Sequence, residues 1–254
     1  KRKLNFNIDK FKKFKDKIIY LVYDKDSSKI EKIYSNDKDN EKSHKYIMNA
    51  IFRENGQRNF IKEALNNANK EDIILVSDVD EIPNLENINF NEKNSKIILF
   101  NQDMFYYKFN LKLPNLVWTG TKACKKKDFE SAQWLRNIKD RKYPFYRLDT
   151  FFSDKKFSNV KIIKNGGWHF TNIKTAEEIR YKLKSYLHHR EFEVNPVTKN
   201  QIEKLIKNRI AIYDLRLDKR SQKIGQGSKL QKYNLKKLPE YIIDNKKKYK
   251  KWID

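Results

Sequence analysis

The stretch Ile73-Ile74-Leu75-Val76-Ser77-Asp78-Val79-Asp80-Glu81-Ile82-Pro83 decides how this chain is read. Its first half is an apolar run of strand length and its second half is acidic, which predicts a buried strand ending in carboxylates. Side chains alternate along an extended chain, so Asp78 and Asp80 are expected on one side of the strand's mouth. Two carboxylates about 5 Å apart repel by about 3 kcal/mol at an effective dielectric of roughly 20. A positive charge is therefore expected between them. Ligands of open α/β sheets bind at the carboxyl ends of strands, and a divalent cation carrying a diphosphate suits that position. A D-x-D triplet also occurs by chance in Asp-rich loops; the strand before this one is what gives it weight.

Working outward, Phe60, Ile61, Ala64, Leu65 and Ala68 form one helical stripe between Glu54 and Asn69, immediately before the strand. Upstream, Phe11, Phe14 and Ile18 have helical spacing and run into a strand-like segment, Ile18-Ile19-Tyr20-Leu21-Val22-Tyr23, while residues 24–45 are polar and read as a surface loop. Strand, helix and strand in that order predict a βαβ unit. Downstream, Ile97-Ile98-Leu99-Phe100 and Met104-Phe105-Tyr106-Tyr107 read as two strands lying side by side, and Val160 to Ile163 as another. Beyond residue 173 the pattern turns helical, with Ile179, Leu183, Tyr186 and Leu187 on one face, Ile202, Leu205, Ile206 and Ile210 on another, and a last basic helix from Pro239 to Trp252. The expected class is α/β, a mixed sheet flanked by helices. A sheet-rich part over residues 1–173 is followed by a helical part over 174–254.

Composition narrows the functional classes. The 254 residues are enough for one large α/β domain, and an apolar content of 38% supplies a core. No run of roughly 18 apolar residues suggests a membrane span, and no signal peptide is evident. The chain starts at Lys1 rather than Met, so its native beginning is expected to lie outside it. The net charge of +24 raises the possibility of nucleic acid as a partner. However, only 11 of the 57 basic residues are arginine, and the lysines are spread along the whole chain, which fits a sign-biased solvated surface, with peripheral contact to an anionic membrane as a further possibility. The single Cys124 cannot form an internal disulfide and suits a reducing compartment, either cytoplasmic or at the cytoplasmic face of a membrane.

The scarce arginines draw attention to Arg53, Glu54, Gln57 and Arg58, where helical spacing stacks Arg53 over Gln57 and Glu54 over Arg58. They form either an ordinary surface pair or an arginine held to orient the Asp pair or grip a phosphate. Gly166-Gly167 permits a tight turn before Trp168-His169. His169 is either a hydrogen-bonded core residue or a third ligand to the cation at Asp78 and Asp80, and Trp168 either packs inside or stacks on a sugar ring. His188-His189-Arg190-Glu191 ends a predicted helix, where cations are favourably placed. Trp118-Thr119-Gly120-Thr121 and Ser131 to Arg136 bring aromatic and hydrogen-bonding groups of the kind used on sugars.

Taken in order, Arg53-Glu54 with Gln57-Arg58-Asn59, Ser77 to Pro83, Met104-Phe105-Tyr106-Tyr107, Trp118 with Gly120-Thr121, Ser131 with Leu135-Arg136, and Gly166-Gly167-Trp168-His169-Phe170 resemble the signature blocks of family 17 glycosyltransferases. That family includes the enzymes that add a bisecting GlcNAc to N-glycans. The resemblance extends to Leu238-Pro239-Glu240-Tyr241. It implies a GT-A-like, Rossmann-like nucleotide-sugar-binding fold, a UDP-sugar donor (UDP-GlcNAc in the best-known branch), a divalent metal (Mn2+, with Mg2+ as the alternative), a glycan or glycolipid acceptor, and transfer with inversion. On this reading Arg53, Gln57, Arg58, Asp78, Asp80 and Trp168 are expected to bind the donor. The expected metal ligands are Asp78, Asp80 and His169. The base that deprotonates the acceptor is sought among Glu81, Asp103, Glu130 and Glu191, with Glu81 first because it adjoins the metal motif.

The chain departs from the family pattern in three places. Members usually begin with a further strand, an Asn-Glu turn and a strand ending in Glu, and only 17 residues precede Ile18, so an incomplete uracil pocket is expected. Phe52 stands where Trp is common, and His188 lies beside the expected H-x-E at His189-Arg190-Glu191. Outside this resemblance, a nucleic-acid or acidic-polymer binding protein and a metal-dependent phosphohydrolase are the competing functions.

Overall fold

The computed structural model describes residues 6–90, 95–144, 146–150, 152–185, 192, 196–212 and 227–254. A seven-stranded mixed sheet is built from β1 (Ile73–Val76), β2 (Glu81–Pro83), β3 (Ile97–Tyr106), β4 (Leu111–Lys125), β5 (Val160–Ile163), β6 (Gly167–Thr171) and β7 (Gln231–Lys232), with the spatial order β1-β4-β3-β6-β2. The central strand is β3, a ten-residue segment in which every side chain but two is buried. It pairs antiparallel with β4 on one side; on the other, β5 runs parallel along residues 97–100 and β6 parallel along 103–106. Burial on both faces explains why its sequence reads as an almost continuous apolar run. It also corrects one expectation: the two runs predicted to lie side by side are a single strand, because Asn101-Gln102-Asp103 continues the ladder through an irregularity in register instead of turning back.

The expected βαβ unit does not form either. Residues 18–23 belong to no ladder among the described residues, and β1 lies antiparallel to β4. Before them a 3-10 helix over Ile8–Lys17 leaves Phe11 and Phe14 exposed. Helix α1 (Asp39–Phe60) begins inside the stretch expected to be loop, and gives way to a 3-10 turn at Ile61–Leu65. Helices α2 (Ala132–Asn137), α3 (Ala176–Ser185), α4 (Lys199–Lys207) and α5 (Glu240–Asp244) complete the helical complement used below. The last basic helix is thus a five-residue helix, with a separate 3-10 turn at Lys250–Trp252.

The sheet is covered on both faces. Met104, Tyr106, Leu111 and Leu113 pack against Ile179 and Leu183 of α3 and Ile202 of α4. Phe105, pointing the opposite way from Met104 on the same strand, packs with Phe170 and with Leu238 and Ile242 from the C-terminal segment. Nearer β1, Ile74, Val76, Ile97, Leu99 and Cys124 meet Trp134, Leu135 and Ile138 of the α2 region. Each large side chain buried in this way is worth about 2 kcal/mol. Gly167 joins β6 to its neighbour: its φ is +133°, and a Cβ there would press on the backbone of Pro83 and Asn84, so only glycine lets the two strands approach this closely.

Candidate active site

The acidic motif leaves the strand earlier than the alternation argument assumed. β1 ends at Val76, and the amide of Glu81 donates to the carbonyl of Asp78 at 2.9 Å, closing a turn over 78–81 before β2 begins. Within a turn the two-residue period no longer holds, and the carboxylates that were expected to share a side have different partners. Asp78 accepts from Arg136 Nη2 at 2.8 Å and from Arg58 Nη2 at 3.4 Å. Asp80 lies 3.5 Å from His169 Nε2. The positive charge expected beside Asp78 is thus supplied by two arginines of the chain itself. Val79, at the tip of the turn, is fully exposed.

Glu81 has no exposed side-chain surface. Its Oε1 accepts from Trp118 Nε1 at 2.8 Å and Arg136 Nη1 at 3.1 Å; its Oε2 accepts from Arg136 Nη1 at 2.8 Å and the Asp78 amide at 2.9 Å. With both oxygens doubly engaged, Glu81 has no lone pair directed at a substrate. Its geometry is that of an anchor for Arg136, not of the base proposed from its place beside the motif. Gly120 makes this packing possible: its carbonyl accepts from Arg136 Nη1 at 2.8 Å, and a Cβ in its place would lie 2.9 Å from Glu81 Cδ and collide with the Gln102 amide.

Arg136 is carried by α2, which Ser131 caps by accepting from the Trp134 amide at 3.1 Å. At the other end Lys122 Nζ donates to the carbonyls of Arg136 and Ile138, each at 2.6 Å. Lys122 is buried, and desolvation, reinforced by the neighbouring Arg136 charge, brings its ammonium down to about 8. Helix α2 is also tied to α1: Gln133 donates its amide to Asn59 Oδ1 at 2.9 Å, and its side-chain oxygen accepts from Arg58. Arg58 in turn contacts Glu54 at 2.7 Å. These contacts form one network running from α1 through α2 to the turn at 78–81.

Beside Asp78 a cavity of about 280 Å3 is lined by Tyr23, Gln57, Arg58, Phe60, Ser77 and Val79, among others. Gln57 and Arg58 therefore do face the motif. Arg53 does not: it points to Asp26, 3.1 Å away, at an exposed position. His169 Nε2 faces Asp80, its ring lies 5.1 Å from that of Trp118, and its Nδ1 is buried without a hydrogen-bond partner. Burial would raise the Asp80 carboxyl, but the hydrogen bond and charge of His169, with Lys182 nearby, outweigh it and hold the group below its ordinary value.

The remaining candidates lie elsewhere. Trp168 precedes His169 on β6 and so points to the opposite face, where Asp103, its neighbour in register on β3, forms a 2.6 Å ion pair with Lys112. Glu130 is exposed just before α2. Glu191 and the neighbouring His188, His189 and Arg190 lie outside the described residues. Among the described residues no group of three or more His, Cys, Asp or Glu side chains is arranged to hold a metal, and no helix is long and apolar enough to cross a membrane. Asp80 and His169 bring one carboxylate and one imidazole together, two groups that face each other at 3.5 Å. Trp118 and Arg136, read from the sequence as sugar-binding types and as parts of the resembled blocks but given no donor or metal role, turn out to be central.

A family model described as glycosyltransferase family 17 matches residues 1–253. No curated protein and no solved structure matches the chain.

Proposed function

From its membership of glycosyltransferase family 17, which makes this chain a glycosyltransferase, we propose that it transfers a sugar, GlcNAc on the family's pattern, from a UDP-sugar to a hydroxyl of a glycan or glycolipid, with inversion and on a GT-A-like fold. The observation that carries the reading is the meeting of Asp80 with His169, 3.5 Å apart, next to a turn whose preceding residues line the Arg58 cavity. Asp80 and His169 would hold Mn2+ or Mg2+, which when bound neutralises charge developing on the departing diphosphate.

The chain's own residues do the rest. Arg58, always charged, has Nη2 on Glu54 and Asp78 and Nη1 on Gln133, and brings its positive charge to the cavity wall for a phosphate. Tyr23 and Phe60, whose rings lie 5.5 Å apart, supply an apolar surface for a base. Arg136 fixes Asp78 and so holds the turn in shape while ligands exchange. A carboxylate must take the acceptor proton as the new glycosidic bond forms and the bond to UDP breaks. Glu81 is saturated and Asp103 faces away, which leaves Glu130 and Glu191 as the sequence candidates, of which the Glu191→Gln variant tests one.

Melting curves with UDP and Mn2+, followed by UDP release from a panel of nucleotide sugars, test the reading. UDP with Mn2+ should raise the midpoint. Asp80→Ala and His169→Ala should abolish the metal-dependent part of that shift, Arg58→Ala should weaken the nucleotide part, and Glu191→Gln should keep the shift while losing transfer. An undiminished shift in both Asp80→Ala and His169→Ala refutes the metal assignment.

A further inference from the structure

On the face of the sheet away from His169 lies a second cavity, of about 560 Å3. Strand pleating sends Trp168 to this side, and its indole Nε1 donates to the carbonyl of Lys237 at 3.0 Å, which fixes the ring at the cavity wall in a half-buried position. A second ring is fixed there too. Tyr233 packs edge-on against Phe105 at 5.0 Å and hydrogen-bonds Asp103, itself held by Lys112 at 2.6 Å. Asn84 and Glu86, from the chain just after β2, add an amide and a carboxylate to the wall, and Lys236 adds a cation.

The charge of this wall differs from that of the chain as a whole. The molecule carries +24, yet here Glu86, Asp103 and Glu240 stand against Lys236 and Lys237. A polyanion such as nucleic acid would meet carboxylates in this cavity. A neutral sugar fits better: its C–H face stacks on an immobilised aromatic ring, and its hydroxyls donate to carboxylates and bond to amides. We propose that this cavity is a binding site for a neutral oligosaccharide, separate from the transfer site. For the identity of its ligand the proposal rests on the glycan-acceptor reading above. β2 ends the sheet on this side, so its edge is a short route for a saccharide chain seated here towards the opposite face. Such a site would keep hold of an acceptor chain while its end is modified.

The test uses the full chain without nucleotide, titrated with a GlcNAc tetramer and with maltotetraose, binding being read by tryptophan fluorescence and by calorimetry. Saturable binding of either sugar is expected. Trp168→Ala and Tyr233→Leu should each weaken it about tenfold or more, the order expected for losing one buried aromatic surface. The UDP-dependent melting shift should be unchanged in Tyr233→Leu. Should Trp168→Ala not fold, Asn84→Ala joins Tyr233→Leu as the second variant. The proposal is overturned if neither sugar binds, if binding survives undiminished in the cavity variants, or if it is lost in His169→Ala instead. Sugar binding that depends on Trp168 without any response to UDP would uphold this site and sink the donor assignment; a response to UDP without sugar binding would do the reverse.

Discussion

Arg136 reaches Glu81 through a single nitrogen, Nη1, which lies 2.8 Å from Oε2 and 3.1 Å from Oε1 of a carboxylate with no exposed surface. Its other terminal nitrogen is left for Asp78. Removing either partner of a buried pair strands the other charge in a medium that cannot solvate it, which costs about 3 to 5 kcal/mol. Arg136→Met should therefore destabilise the fold by about 3 kcal/mol or more in urea unfolding, and the double variant Arg136→Met with Glu81→Gln should recover part of that loss. A cost under about 1 kcal/mol for the single variant would mean that the pair is not buried as described.

Gly120 should resist substitution. An added Cβ meets Glu81 Cδ at 2.9 Å and the Gln102 side chain, both buried and neither able to swing into solvent. Gly120→Ala is expected to cost about 2 kcal/mol through overpacking, seen as a lower denaturation midpoint with an unchanged slope.

Lys122 imposes a pH dependence of definite sign. When folded it releases its proton near 8, because burial and the Arg136 charge disfavour the ammonium; when unfolded it does so near the ordinary lysine value of 10.5. Between those values the unfolded chain binds more protons, so this group makes stability rise with pH across the window and contributes a constant penalty below it. Lys122→Met should remove that rise, a difference on the order of 3 kcal/mol between wild type and variant over pH 8 to 10.5 in matched denaturation series. Parallel curves for the two proteins would show that folding leaves the proton affinity of Lys122 unchanged.

Cys124 should behave as an apolar side chain. It is buried at 2% exposure between β1 and β3, and desolvation pushes its thiol up to about 12. A thiol reagent at pH 8 should label the native protein only through opening of the fold, and label the unfolded protein at once. Immediate stoichiometric labelling of the native protein would contradict the burial.

The sequence was most legible where one local signal sufficed. The run at 73–76 is apolar and short, the run at 160–163 likewise, and both are strands; the glycine pair leads into a third, of which Gly167 is the first residue. β4 was missed because its fifteen residues mix Pro114, Asn115 and polar positions, and it becomes a strand by pairing with β1, β3 and β7 at once, a property of the whole sheet that no window of sequence contains. The site shows the same division. Asp80 and His169 were each nominated from their own neighbours, and the fold joins them through the pairing of Glu81 with His169 in register. The role of Glu81 was misread because its position beside the motif was visible and its burial was not. Arg136 stood 55 residues along the chain from the carboxylate it holds.

The strand that ends the sheet has only three residues, and the last is Pro83, which has no amide hydrogen to offer. A neighbouring molecule approaching that margin would find too little backbone to extend the ladder in register. The margin next to Asp80 is thus a brief, proline-closed border in place of a long row of unpaired amides.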